Sequence, residues 1–582
     1  MDGITIRYGK IDPTAKADSM PSVNQNQPWG NVHDLRYDNI SIEKNIGTFE
    51  LNKFILDGEQ EEMPDNPHAY DWGWWTVQAS DHEGNFGDDA PGLDVSFSTP
   101  HSSNGITLSF YPFTNDFVTR ARITWWNEYG AVLKSGIYEN NGMEGAFGET
   151  VTLYTRVKIE LLSTNIKHRY AKIYAIEFGR VRVFADGEID YCNILEEIDP
   201  TSEFLSVNTM GFRIKTHNAD FFQVLGDTQN DMLMTNQQMT VEYNGEPFGV
   251  FFLKKSRDVY NTDTVFDFDT QDAVGVMGGY QFYGGIYDEY PAIDLIQELF
   301  DICFPTKLID FVLDDALKEK TVSGYIPIGT CRLALQYICF AIGAIADTSR
   351  RNYVWIYPLE QVLERRIPRE NIYMGGNIET TEHFTSVIVV SHTYTPGEEI
   401  RTIYDDEIEA GEHVFHFTEP LHSLEISGGT ILESSATYAK IQAPQNQHVL
   451  LTGISYIVSR IPYTVDSQLM PGEVERTKTY DGCTLVSQSG SKDLANHIFL
   501  YLNMRQRIEI PVRLEDLEVG YFTKVMTRGR PILGFTEQLS IQLRGRRATL
   551  RLLGNADTGI DLDLQGYKRL NTFVLGQDGD LI

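Results

Sequence analysis

The sequence predicts a mainly β fold with an α+β part. An N-terminal jelly-roll β-sandwich is expected first, then a body of two β-barrel-like domains and a small α/β unit. Three observations carry that expectation. Short runs of alternating apolar and polar residues, bounded by Gly, Asn and Pro, recur along most of the chain, which is the period of half-buried strands. Helical spacing replaces it only over a central stretch and near residue 495. Six of the seven tryptophans (Trp29, Trp72, Trp74, Trp75, Trp125 and Trp126) fall early in the 582 residues, so the front differs in composition from the rest.

The elements follow in order. Residues 1–45 are polar around SVNQNQPWGN and read as an extended N-terminal arm. Residues 46–180 read as the jelly roll. In VTLYTRVKIE, the residues Val151, Leu153, Thr155, Val157 and Ile159 are expected on one strand face. Residues 181–285 form the first barrel-like domain, with NGEP as a hairpin turn between two strands.

Residues 286–365 form the α/β unit. In YPAIDLIQELFDIC, the residues Ala292, Ile296, Leu299, Phe300 and Cys303 recur at helical spacing. A second helix is expected over LIDFVLDDALKEK and a third after the N-cap Thr330, before the strand NYVWIYPLE. Residues 366–555 form the second barrel-like domain, with HFTSVIVVSHTY as a strand and an insertion at about 396–475. In its helix SKDLANHIFLYLNMR, Leu494, Ile498, Tyr501 and Leu502 share a face. Residues 556–582 are a C-terminal tail.

Composition excludes several classes. With 82 acidic against 48 basic side chains the net charge is −34, which repels nucleic-acid backbone and anionic membrane, so neither is expected as a static partner. The five cysteines contain no CxxC pair and support neither a zinc site nor a disulfide framework. The start, MDGITIRYGK, lacks an apolar signal region, so synthesis in a reducing cytoplasm is expected. The apolar run Ala334 to Ala346 is too short to span a bilayer.

Candidate chemistry is sparse. His413 and His416 in HVFHF sit three apart on a strand and face opposite sides, so no shared metal is expected. Asp267, Asp269 and Asp272 cluster in FDFDTQD, and paired carboxylates are what glycosidases use. Phe266 and Phe268, however, fill the other face, as in a strand with one exposed side. SDHEGNFGDD spaces Asp81, Glu83 and Asn85 like a calcium loop, but Phe86 replaces the turn glycine and no glutamate closes it. GVMGGYQFYGG fits neither phosphate-loop nor dinucleotide patterns. No catalytic residues, cofactor or metal are therefore expected. The binding candidates are the aromatics Tyr70, Trp72, Trp74, Trp75, Trp125 and Trp126, either as a platform for a sugar ring or partner, or as core.

Two resemblances organise these pieces. The order of GFRIKTHN, GVFFLKKSRDVYNTDTVFDFDTQD, SGYIPIGTCRLALQYICFAIGA and, later, VGYFTKVMTRGRPILGFTEQLS resembles the baseplate hub and tail-tip family of phage tails, over about 181–400 and 476–555. The phrases GNFGDDAPGLDVSFSTPHSSNGITLSFYPF, ITWWNEYGAVL and AKIYAIEFG resemble a discoidin-type jelly roll, a class that includes many carbohydrate-binding modules. A sugar ligand does not follow from that fold. The resemblance implies a structural virion protein that closes the distal end of the tail tube and links it to host-attachment parts. It also implies a homotrimer, partnered by the distal tail or tail tube protein, the tape-measure protein and other baseplate or receptor-binding proteins; host cell-wall glycan and a neighbouring baseplate protein are the two candidate contacts of the front module. A glycan hydrolase with an appended carbohydrate-binding module, or a lectin-like adhesin, is the alternative.

Overall fold

A computed structural model describes residues 3–28, 30–36, 48, 50, 73–87, 89–111, 114–216, 237–259, 264–305, 308–359, 363–467 and 474–557. The fold is mainly β with an α+β part. Two sheets form the front sandwich. One holds five strands in the order Met20–Val23, Gly92–Ser103, Val151–Thr164, Val118–Trp126, Val132–Glu139; the other holds Trp74–Trp75, Lys172–Glu177, Ile106–Phe110 and Glu144–Phe147. Their inner faces share a core that includes Leu93, Val95, Ile123, Trp125, Phe147 and Ile159.

One strand face departs from simple alternation. Leu153 has φ +56° and is exposed, while its neighbour Tyr154 is buried. Pairing runs from His101↔Tyr154 to Ser103↔Val151, so the strand carries one extra residue. That bulge turns Leu153 outward and Tyr154 inward.

The body is built on a sheet of 13 strands. Its path runs from Gly179–Phe184 through Ile4–Ile11, Gln238–Tyr243, Glu246–Val259, Thr264–Gln271 and Thr209–Thr216 to Ile189–Glu197. It continues through Ile532–Gln542, Arg547–Ala556 and Gln506–Arg513 to Asn377–Thr380. The two barrel-like segments are open and continuous: Asn193 pairs with Gln542 and Glu197 with Gln538. Phe266 and Phe268 point inward as the alternation predicts, and Phe268 stacks on Phe212 at 4.7 Å. The NGEP turn is a two-residue hairpin, with Asn244 and Gly245 both at positive φ between paired Tyr243 and Glu246.

The N-terminal arm is corrected in part. Ile4–Ile11 is a strand hydrogen-bonded on both sides, to Gly179–Phe184 and Gln238–Tyr243. Ile4, Ile6 and Tyr8 alternate into the core, and that burial, far from local in sequence, orders a segment whose neighbourhood is polar.

In the α/β unit, helices Ala292–Cys303 and Cys331–Ile342 pack together, and the five residues expected on the first helix's apolar face are all buried. Thr330 caps the second helix by accepting the Leu333 N–H, and Gly343 at φ +70° ends it. The helix expected over LIDFVLDDALKEK is instead strand Asp310–Leu313, parallel to Tyr353–Tyr357, followed by a short 3-10 turn at Asp315–Leu317. Sheet pairing overrides the helix propensity of its Leu, Lys and Glu residues. Helix Gln488–Leu502 buries Leu494, Ile498 and Tyr501 as expected and leaves Leu502 half-buried.

The stretch read as an insertion contains much of a long ribbon. Ser386–Ile408 pairs with Gln447–Asp466 over nearly their whole lengths, and a small sheet of Gly411–His416, Tyr438–Ala443 and Thr430–Ser434 lies between them in sequence.

Candidate recognition site

The short strand Trp74–Trp75 is the start of this site: it pairs with Ile173 and Lys172, and both of its rings are buried, on opposite faces of the strand. Lys172 Nζ lies 2.7 Å from Glu50 Oε2 and 3.1 Å from Asp116 Oδ2, and Arg169 Nε lies 3.4 Å from Asp116 Oδ1. All four side chains are buried, so two cations balance two carboxylates, as burial demands. Trp75 takes Lys172 Nζ at 5.4 Å from its ring and meets Tyr111 edge-on at 5.1 Å. Trp74 donates its Nε1–H to the Gln25 carbonyl at 3.2 Å.

Trp74, Trp75 and Trp125 are therefore core, at 1%, 1% and 0% exposed, and none of them is a platform. Trp74 and Trp125 lie in the core between the two sheets, and Trp75 is covered by Tyr111 and Lys172; the apolar area each buries outweighs any gain from leaving the ring in water. Tyr70 and Trp72 lie outside the described residues.

Trp126 is different. It is half-buried on the outer face of the five-stranded sheet. The Arg156 guanidinium sits 4.9 Å from its ring centre, held by Asp94 with Nε to Oδ1 at 2.8 Å. Val132 pairs with Trp126, and Ile137 with Arg122. Directly opposed residues share a face, so Val132 and Ile137 extend an exposed apolar strip along the edge strand, with Tyr129 exposed at its turn. This surface offers one aromatic ring, an aliphatic strip and a fixed guanidinium. That combination suits stacking with polar anchoring. Sequence reasoning singled out Trp126 and missed Val132, Ile137 and Tyr129; Tyr129 in the NEYG turn was the available signal.

The other candidates resolve individually. Asp267 receives Arg213 through two contacts, Nε to Oδ1 at 2.6 Å and Nη2 to Oδ2 at 3.0 Å. Those bonds hold its carboxyl below the usual range, opposite to the shift a general acid needs. Asp269 is exposed. Asp272 is buried and caps helix Ala273–Met277 through the Gly275 N–H.

Asp81 accepts the N–H groups of Glu83 at 2.8 Å and Asn85 at 2.9 Å, so that its loop closes on its own backbone. His413 Nε2 meets the Glu409 carbonyl, whereas His416 stacks on Tyr283. The five cysteines are free and buried. Among the described residues no group of three or more His, Cys, Asp or Glu side chains could hold a metal ion. No helix among them is long and apolar enough to cross a membrane.

No protein-family model matches the chain. No curated protein matches it either. Among solved structures it is similar to a tail protein from Neisseria meningitidis, at 12% identity, over 64% of this chain and 93% of that one, with a TM-score of 0.39. It is also similar to a prophage tail protein from Listeria monocytogenes, at 10% identity, over 65% and 92%, with a TM-score of 0.36. The family 32 carbohydrate-binding module of NanJ from C. perfringens, solved with galactose, is similar at 12% identity over 30% of this chain and 99% of that module, with a TM-score of 0.18.

Proposed function

We propose that the chain is a structural virion protein: the baseplate hub or tip that closes the distal end of a phage tail tube and links it to host-attachment parts. The observation that carries this reading is the single sheet through both barrel-like segments, joined where Ile189–Glu197 meets Ile532–Gln542. It follows the order of elements by which the sequence resembles the hub family. A scaffold of this kind transmits force and presents surfaces, and the ionised, arginine-bound Asp267 does not suit a hydrolase.

The working form is a homotrimer at the tail tip, assembled after synthesis in the host cytoplasm. Two barrel-like segments per copy let three copies match a six-fold tube. The long ribbon supports this. Its middle, Val390–Thr395 against Ile457–Pro462, has no flanking strand among the described residues, a two-stranded stretch that is marginal by itself in water, and the ribbon exposes Ile400, Ile457 and Val458. Cover from a neighbouring copy removes that apolar surface from water. The distal tail or tail tube protein, the tape-measure protein and receptor-binding proteins are the other partners. The front module contacts cell-wall glycan or an adjacent baseplate protein through the Trp126 surface.

The test is the mass of the full chain in solution, alone and mixed with the distal tail protein of its phage. A trimer in either sample is expected. A monomer in both, at micromolar concentration and physiological salt, overturns the reading.

A further inference from the structure

The second barrel-like segment carries a cavity of about 830 Å³. It lies across the face of four neighbouring strands, of which Ile378, Ile508, Ala556 and Ile532 each mark one. Ile508 and Ile532 are buried, whereas Ile378, Met526 and Met374 are exposed, Met374 at 91%. Arg369, Arg528 and Arg530 also line the cavity and are exposed. None of the three has an ion-pair partner among the described residues. Gln506 Oε1 is buried in the lining and accepts no hydrogen bond among those residues. On a chain of net charge −34, unpaired arginines beside exposed apolar side chains mark a surface for an acidic and apolar partner.

The α/β unit carries a matching surface. In helix Ala292–Cys303 the acids Asp294, Glu298 and Asp301 follow at spacings of four and three, which sets them in one row about 10 Å long. All three are exposed, and so is Ile302 beside them. Strand Gly285–Pro291 leads directly into this helix and adds the exposed Asp288, Glu289 and Tyr290. None of these five acids has an ion-pair partner among the described residues. The opposite face of the helix is packed into the core through Leu295, Ile296 and Leu299, so the row is held on a rigid element.

We infer that the acidic row of one copy of this chain seats on the arginine-lined cavity of the next. The inference rests on the trimer reading above and names the contact that closes it. Two different surfaces of one chain meet, so the contact is head-to-tail: each copy gives a helix and receives one, and three such contacts close a ring. The opposed charges fix the register. Tyr290 and Ile302 against Met374, Ile378 and Met526 take exposed apolar surface out of water.

Sedimentation equilibrium of the full chain tests this, with the distal tail protein of its phage present if the trimer forms only in that mixture. Arg528→Glu/Arg530→Glu and Glu298→Arg/Asp301→Arg, all at exposed positions, are each expected to weaken self-association at least about hundredfold. Combining the two pairs in one chain is expected to restore the trimer, which a general loss of folding would not allow. Unchanged association in either altered chain, in a wild type that forms trimers, overturns this contact and leaves the trimer reading standing. A combined chain that stays dissociated also overturns the contact. A wild type that is monomeric both alone and in the mixture overturns the two together.

Discussion

Arg350 grips Glu196 at two points, Nε to Oε1 at 3.1 Å and Nη2 to Oε2 at 3.4 Å. Glu196 belongs to the strand where the two halves of the large sheet meet, and Arg350 to the turn between strands Ile345–Asp347 and Tyr353–Tyr357 of the α/β unit. The next residue, Arg351, reaches Asp347 at 3.3 Å and Glu518 at 3.0 Å. Two consecutive arginines thus tie the α/β unit to an acid from each half. The Glu196 side chain is 1% exposed, so losing Arg350 strands a buried carboxylate. Arg350→Met is expected to cost about 3–5 kcal/mol, and Arg350→Met with Glu196→Leu distinctly less. Urea unfolding of the two variants checks this; equal losses would contradict it.

Asp272 gives a pH dependence. Burial pushes its carboxyl up to about 6, against hydrogen bonds from Thr348 Oγ1, the Gly275 N–H and the Asn208 N–H. The folded chain therefore holds this proton more tightly than the unfolded one, whose group titrates near 3.8. Its contribution is fully present below about pH 3.8 and is lost as pH rises through about 6. A difference of about two pKa units corresponds to about 3 kcal/mol. Wild type minus Asp272→Asn, measured by chemical unfolding between pH 4 and 7, should fall by an amount of this order; a flat difference would refute it.

The tryptophans should separate by position. Trp75→Ala removes a buried ring that also covers Lys172 and is expected to cost about 3–5 kcal/mol. Trp126→Ala should change stability far less and weaken binding of the front module to cell-wall polysaccharide or a baseplate partner. Thermal melts and binding titrations on the full chain read both effects. If Trp126→Ala binds like wild type to every such partner, the outer face is not the contact surface.

Asp267 should prove structural. Asp267→Asn breaks the two-point contact with Arg213, and the full chain is expected to release no sugar from peptidoglycan or soluble glycan before or after the change. Turnover by wild type that Asp267→Asn abolishes would restore the hydrolase reading.

The alternation of Phe266 and Phe268, the face of helix Ala292–Cys303, the Thr330 cap and the NG turn were all legible, because each depends on residues a few positions apart. Of the six aromatics proposed for recognition, only Trp126 stands partly exposed among those described. Strand content marked where the rings sat without saying which side faced the second sheet. Of the ribbon formed by Ser386–Ile408 and Gln447–Asp466, only the run HFTSVIVVSHTY was legible as a strand, for a related reason. Much of it is exposed on both faces, and its sequence shows no strong alternation.

The sequence by itself determined the class of the protein: many short strands, a few helices in one central unit and one near the end, a tryptophan-rich front and a strongly acidic chain. Those features follow from local periodicity and composition. Tertiary structure decided the rest. It took Ile4–Ile11 out of the arm and into the sheet, turned Leu153 outward at a bulge, made Asp310–Leu313 a strand beside Tyr353–Tyr357, and joined Asn193 to Gln542. Each of these rests on a partner distant in the chain, and a strand's pairing is set by the burial and hydrogen bonds that partner supplies, which no local pattern encodes.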